Sequence, residues 1–325
     1  MILTVTPNPA IDWTVTTDTF AFDAVNVATE STREASGKGI NVSVALRRNG
    51  VPTRALFPAG GGTGVFMREQ LAGMGVDAVV VPSGAEVRTN ITLRVPGHAG
   101  TKINEPGAPL GEDLAQRLID AVRVVLSEAL AASDGVTTLA LCGSLPPGAP
   151  EGFHPALVRL GRELGAAVVV DASGEVLSRA LAAGPGLVKP NVHELAAETG
   201  RELRTVGDVV DAAREVLTRG SGAVLASLGA DGMVYVDAGH ALHGWARDVR
   251  VLNTVGAGDA SLAGFLAARD GGAEPAGCLA SAILYASSAV GHTTTLFDVD
   301  PELRDRITVT DAPDTTRPLS EPAKG

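Results

Sequence analysis

The chain has 325 residues and a formal net charge of −11, a balance that argues against nonspecific nucleic-acid binding or an anionic membrane surface as its main role. That length fits one large α/β domain with an appendage, or two domains. Two cysteines, Cys142 and Cys278, exclude a disulfide framework or a cysteine zinc site and suit a reducing cytoplasm.

Residues 2–6 read as a buried strand ended by Pro7 and Pro9. The stretch from Met1 to Pro7 has no basic n-region and too short an apolar run for a signal peptide, so none is expected in it. Asp12 then falls just past a strand's carboxyl end, where open α/β sheets bind ligands, although a loop carboxylate there also satisfies turn amides. From Trp13 to Ser36 the chain is Thr- and Val-rich and lacks a helical period, and residues 88–104 read the same way. The two stretches predict one small sheet covering the site as a lid.

Between them, Ser36-Gly37-Lys38-Gly39-Ile40-Asn41-Val42 opens a helix with apolar residues at Val42, Ala45 and Leu46. Lys38 and Asn41 stand at its mouth as candidates for a polyhydroxy ligand, or as a solvated turn. Gly60-Gly61-Gly62-Thr63-Gly64 is a third glycine-rich mouth, or a flexible turn. The middle alternates: strand 138–142, helix 155–164, strand 167–171, helix 175–183, strand 187–189, helix 192–199, then strands 223–227 and 233–237. Such alternation predicts a mostly parallel sheet with helices on both faces. Polar and glycine residues gather at the strand ends in Gly143-Ser144-Leu145-Pro146-Pro147-Gly148, Pro190-Asn191-Val192-His193-Glu194 and Ser227-Leu228-Gly229-Ala230-Asp231-Gly232.

Residues 249–252 read as a strand end and 260–269 as a helix, so Asn253-Thr254-Val255-Gly256-Ala257-Gly258-Asp259 is a glycine-rich turn opening a helix. Its amides can converge on one anion at the helix's positive end. A resting phosphate would repel Asp259, so the natural role of this carboxylate is to accept a proton from a hydroxyl attacking that phosphate. The same turn also serves a plain strand-to-helix junction capped by Asp259. It is not a P-loop, and Ser261 replaces the third glycine of a dinucleotide fingerprint. Residues 275–297 are uncharged but interrupted by Gly, Ser, Thr and His, which predicts a buried helix rather than a membrane span. From Asp311 onward the chain lacks periodicity, and a disordered tail is expected.

Four segments in order, Thr6-Pro7-Asn8-Pro9-Ala10-Ile11-Asp12, Gly37-Lys38-Gly39-Ile40-Asn41-Val42, Lys189-Pro190-Asn191 with Glu194, and Asn253 to Asp259, resemble the ribokinase-like (PfkB) carbohydrate kinases, most closely their phosphofructokinase-like branch. The resemblance covers residues 2–309. Lys102-Ile103-Asn104-Glu105-Pro106-Gly107 and Gly143–Gly148 resemble the phosphosugar members. It implies a three-layer α/β kinase domain over 1–310 with a mostly parallel sheet, lid strands from about 12–36 and 87–105, and a tail at 311–325. It implies ATP- and Mg²⁺-dependent phosphorylation of a phosphorylated ketohexose, with fructose 1-phosphate ahead of tagatose 6-phosphate and fructose 6-phosphate. A catalytically silent sugar-phosphate sensor is the alternative of another class.

By the same resemblance Asp259 is the base, with Gly256, Ala257 and Gly258 as the anion hole. Asp12, Gly37, Lys38, Asn41 and Asn90 would hold the sugar, and Arg88, Lys102 and Ser144 its phosphate. Lys189, Asn191, Glu194, Ser227, Gly229, Gly232, Val255 and Ser281 would line the nucleotide site, with Glu194 meeting Mg²⁺ through water. Ser36 departs from the family, many of whose members have Gly or Ala there. The lid implies a homodimer; neither a nucleic acid nor a membrane is expected as a partner.

Overall fold

Strands buried at nearly every position cannot face water on either side, so the sheet they build needs a helical layer on each face. The computed structural model, which describes residues 1–98, 100–132, 136–292, 294 and 296–325, has that arrangement. The chain begins with β1 (Ile2–Val5), β2 (Ala10–Thr16), β3 (Glu30–Ser36), α1 (Lys38–Arg48), β4 (Thr53–Gly60), α2 (Gly61–Gly73), β5 (Asp77–Glu86), β6 (Arg88–Arg94), β7 (Thr101–Asn104) and α3 (Glu112–Ala132). There follow β8 (Thr138–Cys142), α4 (Phe153–Glu163), β9 (Ala167–Asp171), α5 (Glu175–Leu181), β10 (Leu187–Val188), α6 (Val192–Thr199), β11 (Leu203–Thr205) and α7 (Val206–Thr218). The last part holds β12 (Ala223–Ser227), β13 (Met233–Asp237), β14 (Ala241–Ala246), α8 (Ala257–Asp270), α9 (Pro275–Val290), β15 (Ile307–Thr310) and β16 (Pro318–Ala323).

Among the described residues, ten strands form one sheet in the order β15-β14-β13-β12-β10-β9-β8-β1-β4-β5. Pairing is parallel from β5 through β12 and antiparallel across β13, β14 and β15. Successive side chains alternate between the layers. Leu139, Leu141, Val168 and Val170 pack with Leu118, Phe153 and Val209 from α3, α4 and α7. Ala140, Cys142 and Val169 pack instead with Val42, Leu262 and Leu279 from α1, α8 and α9. No helix among the described residues is long and apolar enough to cross a membrane.

The lid is a four-stranded sheet in the order β3-β2-β6-β7, with β2 antiparallel to β3 and parallel to β6. Its register sets Asp12 opposite both Glu34 and Asn90.

Two expectations need correction. Residues 249–252 are irregular rather than a strand end; Val251 and Leu252 are exposed, and the Leu252 amide bonds the carbonyl of Val290 at the end of α9. The tail is ordered where disorder is expected, because β16 pairs antiparallel with β11 and buries Leu319 and Ala323. The amide and hydroxyl of Ser320 both donate to the Asp231 carboxylate, at 2.6 and 3.0 Å.

Candidate active site

Gly256 takes a φ of 82° at the start of α8, a left-handed conformation that favours glycine. The helix supplies no carbonyl for its first-turn amides; that of Ala257 makes only a long 3.4 Å bond back to the Thr254 carbonyl. A positive helix end with backbone amides at its mouth can serve as an anion cradle. Lys189 flanks it, since its Nζ stands 3.5 Å from where a Cβ on Gly258 would lie. Val255, just before the cradle, is exposed, and its amide is held by Asn253 Oδ1 at 3.0 Å.

Asp259, the third residue of α8, is buried and accepts a hydrogen bond from Asn41 Nδ2 at 2.8 Å. Burial, assisted by the nearby charge of Asp171, pushes its carboxyl up to about 6. Such a group is mostly ionised at neutral pH yet close enough to it to exchange a proton.

Asp171 was not among the residues singled out from sequence, and it organises the site's charges. It ends β9 with its side chain 1% exposed, bound to Lys38 Nζ at 2.9 Å and Lys189 Nζ at 3.1 Å. The sheet puts it there: Gly143 N donates to the Asp171 carbonyl and Lys189 N to that of Val170, so the ends of β8, β9 and β10 meet. Burial opposes the charge of Asp171, but the two lysines outweigh it and hold the carboxyl below its ordinary range. Burial likewise opposes the Lys38 ammonium, and Asp171 outweighs it, raising Lys38 above its ordinary value. The available signal was a carboxylate closing an apolar strand at the edge where the other polar residues gather.

At the opposite end of the cluster, Gly37 opens α1 with a φ of 133°. Asp12 accepts from Ser36 Oγ at 2.7 Å and from Asn90 Nδ2 at 3.0 Å. A cleft of about 180 Å³ lies alongside, lined by Asn8, Gly37, Lys38, Arg88, Ser144 and Ser173 among others. Arg88 donates to the carbonyls of Glu105 and Asn8 at 3.0 and 3.3 Å. Its Nε and the Oδ1 of Asn90 are buried without a partner among the described residues, which fits a wall built for a polar ligand. Lys102 is not part of this wall. It is exposed on the lid strand β7, on the same face as Asp12 and Asn90 but one pleat further out.

On the nucleotide side of the expected site, Asn191 and Glu194 form a reciprocal capping box at the start of α6, each bond 2.9 Å. One Glu194 oxygen is thereby committed to the backbone, and its charge still reaches Lys38. Ser227 bridges Asn191 at the end of β12. The short turn Gly229–Asp231 follows, closed by Gly232 before β13. Ser281 lies in the middle of α9. The carbonyl of Val290, at the far end of α9, meets the loop before the cradle, whereas Ser281 backs onto Gly264 in the middle of α8. At ~1.5 Å per residue, Gly264 lies roughly 12 Å along the helix from Gly256.

The pattern of the pfkB family carbohydrate kinases matches residues 8–301. The chain is 38% identical over 309 residues to the 1-phosphofructokinase of Haloferax volcanii, covering 95% of this chain and 96% of that one. It is 40% identical over 295 residues to the 1-phosphofructokinase of Rhodobacter capsulatus, covering 90% of each. The crystal structure of phosphofructokinase-2 from Escherichia coli in complex with potassium superposes with a TM-score of 0.86 at 31% identity, covering 94% of this chain and 97% of that one.

Proposed function

Because the chain belongs to the pfkB family of carbohydrate kinases, we propose that it transfers a phosphoryl group from ATP, with Mg²⁺, to the free primary hydroxyl of fructose 1-phosphate. The observation that carries this reading is the buried carboxyl of Asp259 at the mouth of the anion cradle. Asp259 accepts the hydroxyl proton as that oxygen attacks the γ-phosphorus, and Asn41 holds the carboxylate in place. The amides of Gly256, Ala257 and Gly258, with Lys189, stabilise charge on the phosphoryl in flight. A silent sugar-phosphate sensor needs neither the buried base nor the cradle.

Asp12, Gly37, Lys38, Asn41 and Asn90 read the sugar's hydroxyls, and Arg88 with Ser144 takes its phosphate, joined by Lys102 when the lid closes. Asn191, Glu194, Ser227, Gly229, Gly232 and Val255 line the nucleotide. Among the described residues no cluster of three or more His, Cys, Asp or Glu side chains can cage a metal. Glu194 would hold Mg²⁺ through water, since that ion keeps much of its hydration and needs no cage of carboxylates. Bound there, the ion would supply charge neutralisation on the phosphates.

The lid's other face carries Trp13, Val15, Ile91 and Leu93, with Ile103 exposed beside them. A second copy of the chain covering this face would make a homodimer. Two buried free cysteines suit a cytoplasmic enzyme.

The choice of fructose 1-phosphate rests on the two relatives named 1-phosphofructokinase, each matched across nearly its whole length. Fructofuranose carries a CH₂OH arm at each end, so fructose 6-phosphate and tagatose 6-phosphate present hydroxyl and phosphate at similar separation. The test is kcat/KM for all three on one preparation with ATP and Mg²⁺. A tenfold preference for either 6-phosphate, about 1.4 kcal/mol in transition-state binding, would overturn the assignment.

A further inference from the structure

Resting on that reading of the site, we propose that Ser36 is a positioning residue that ties the carboxylate reading the acceptor to the carboxylate taking its proton. Ser36 ends β3, is 6% exposed, and stands between the two. Its single O–H faces two acceptors, Asp12 Oδ2 at 2.7 Å and Asn41 Oδ1 at 3.4 Å. The other end of the Asn41 amide, Nδ2, donates to Asp259 Oδ2 at 2.8 Å. A continuous path therefore runs Asp12, Ser36, Asn41, Asp259, drawing on β2, β3, α1 and α8.

With no sugar present, the Asp12 carboxylate takes the hydroxyl's hydrogen, at 2.7 Å against 3.4 Å to Asn41, because charge-assisted bonds are the stronger. Asn90 already occupies the second oxygen of Asp12, so sugar hydroxyls that donate to Asp12 compete with Ser36 for Oδ2. The displaced hydrogen then turns to Asn41 Oδ1. A carbonyl that accepts a hydrogen bond polarises its own amide and strengthens what the NH₂ donates. That donation goes to the ionised form of Asp259 and favours it. Burial and the charge of Asp171 hold the Asp259 carboxyl up, at about 6, against the Asn41 bond and the charges of Lys38 and Lys189, so strengthening the Asn41 bond increases the fraction of base ready to act. Acceptor binding at Asp12 in this way prepares the base across the site.

Ser36→Ala removes only the hydroxyl. The acid limb of kcat with phosphosugar moves to higher pH, so kcat at pH 6 falls at most about 2- to 7-fold, the size one lost hydrogen bond gives at a carboxyl titrating near 6, and falls less at pH 8. The KM for ATP stays unchanged. A loss that is equal at every pH, or no loss, overturns the proposal. A second readout does not depend on turnover: the Asp259 carboxyl titration, followed by ¹³C NMR in Asp-labelled protein and assigned with Asp259→Asn. In wild type, saturating fructose 1-phosphate lowers its midpoint more than in Ser36→Ala; equal displacement in the two proteins sinks the idea. Failure of the wild-type enzyme to phosphorylate any phosphosugar would count against the proposed function, whereas a Ser36→Ala enzyme with an unaltered pH profile would count against Ser36 alone.

Discussion

Asp171 lies between two ammonium groups, and removing its charge should be felt both in stability and in the base. Asp171→Asn keeps the size of the side chain and one acceptor oxygen but leaves Lys189, 5% exposed, without its counter-charge. Breaking a buried pair by removing one partner costs about 3–5 kcal/mol. The low end applies, because Lys38 is 39% exposed and can turn to solvent, and Asp259 remains nearby. For a 325-residue chain unfolding with ~2.1 cal/mol/K per residue, a loss of about 3 kcal/mol corresponds to a fall in Tm of roughly 4–5 °C, readable by calorimetry or urea unfolding. Asp171 is held below the ordinary carboxylate range in the fold, so its contribution is complete above that range and lost only as pH falls through the lowered value. The deficit of the variant should therefore be constant at about pH 7–8, where Asp259 is ionised in both proteins, and narrow in acid as Asp171 itself takes up a proton. Asp171 also raises the carboxyl of Asp259, so its neutralisation should shift the acid limb of kcat below its wild-type position near pH 6. A variant within about 1 kcal/mol of wild type, the level of an exposed ion pair, would refute the account of the charge cluster. An unmoved acid limb would refute the coupling to Asp259.

Asp259→Asn is nearly isosteric and should lower kcat by about 10²–10⁴ while leaving the KM for ATP close to wild type; comparable activity would remove the base from the mechanism. In the wild-type enzyme kcat should rise with pH through about 6, since only the ionised form of Asp259 takes the proton, and a profile flat from pH 5 to 7 would contradict this. Arg88→Ala removes a charged donor at the acceptor-phosphate end of the cleft, and a bond to a charged group contributes about 1.5–3 kcal/mol. The KM for the phosphosugar should rise about 10- to 100-fold with little change for ATP; equal effects on both substrates would place Arg88 elsewhere in the reaction.

How much of this was legible from the sequence follows from what each residue needs. The two glycine mouths are legible because the backbone demands particular residue types, a φ of 82° at Gly256 and 133° at Gly37. Asp12 is legible because two prolines end the strand before it. The lid's two stretches are legible because their alternation carries no helical period. Asp171 is different. It closes β9 as many polar residues close strands, and its role comes from Lys38, 133 residues away, and from Lys189 beyond it. The surroundings of Ser281 are set in a related way, since sequence places it on a buried helix while the Gly264 it packs against comes from α8.

The long helix α3 carries no motif and goes unassigned from sequence, although Ala115, Leu118, Val122, Val125 and Leu126 recur at helical spacing behind an acidic first turn. A period was present there to be read. The tail offers none: β16 buries Leu319 and Ala323, too few apolar positions to specify a strand by alternation or a helix by turn. What orders it lies outside the segment. The edge of β11 supplies unpaired backbone groups, and Asp231, 89 residues before Ser320, supplies a buried carboxylate that would be costly to leave unbonded. The segment is ordered because the surface it meets has donors and acceptors to fill, and that requirement is written in Leu203–Thr205 and Asp231 rather than in the tail.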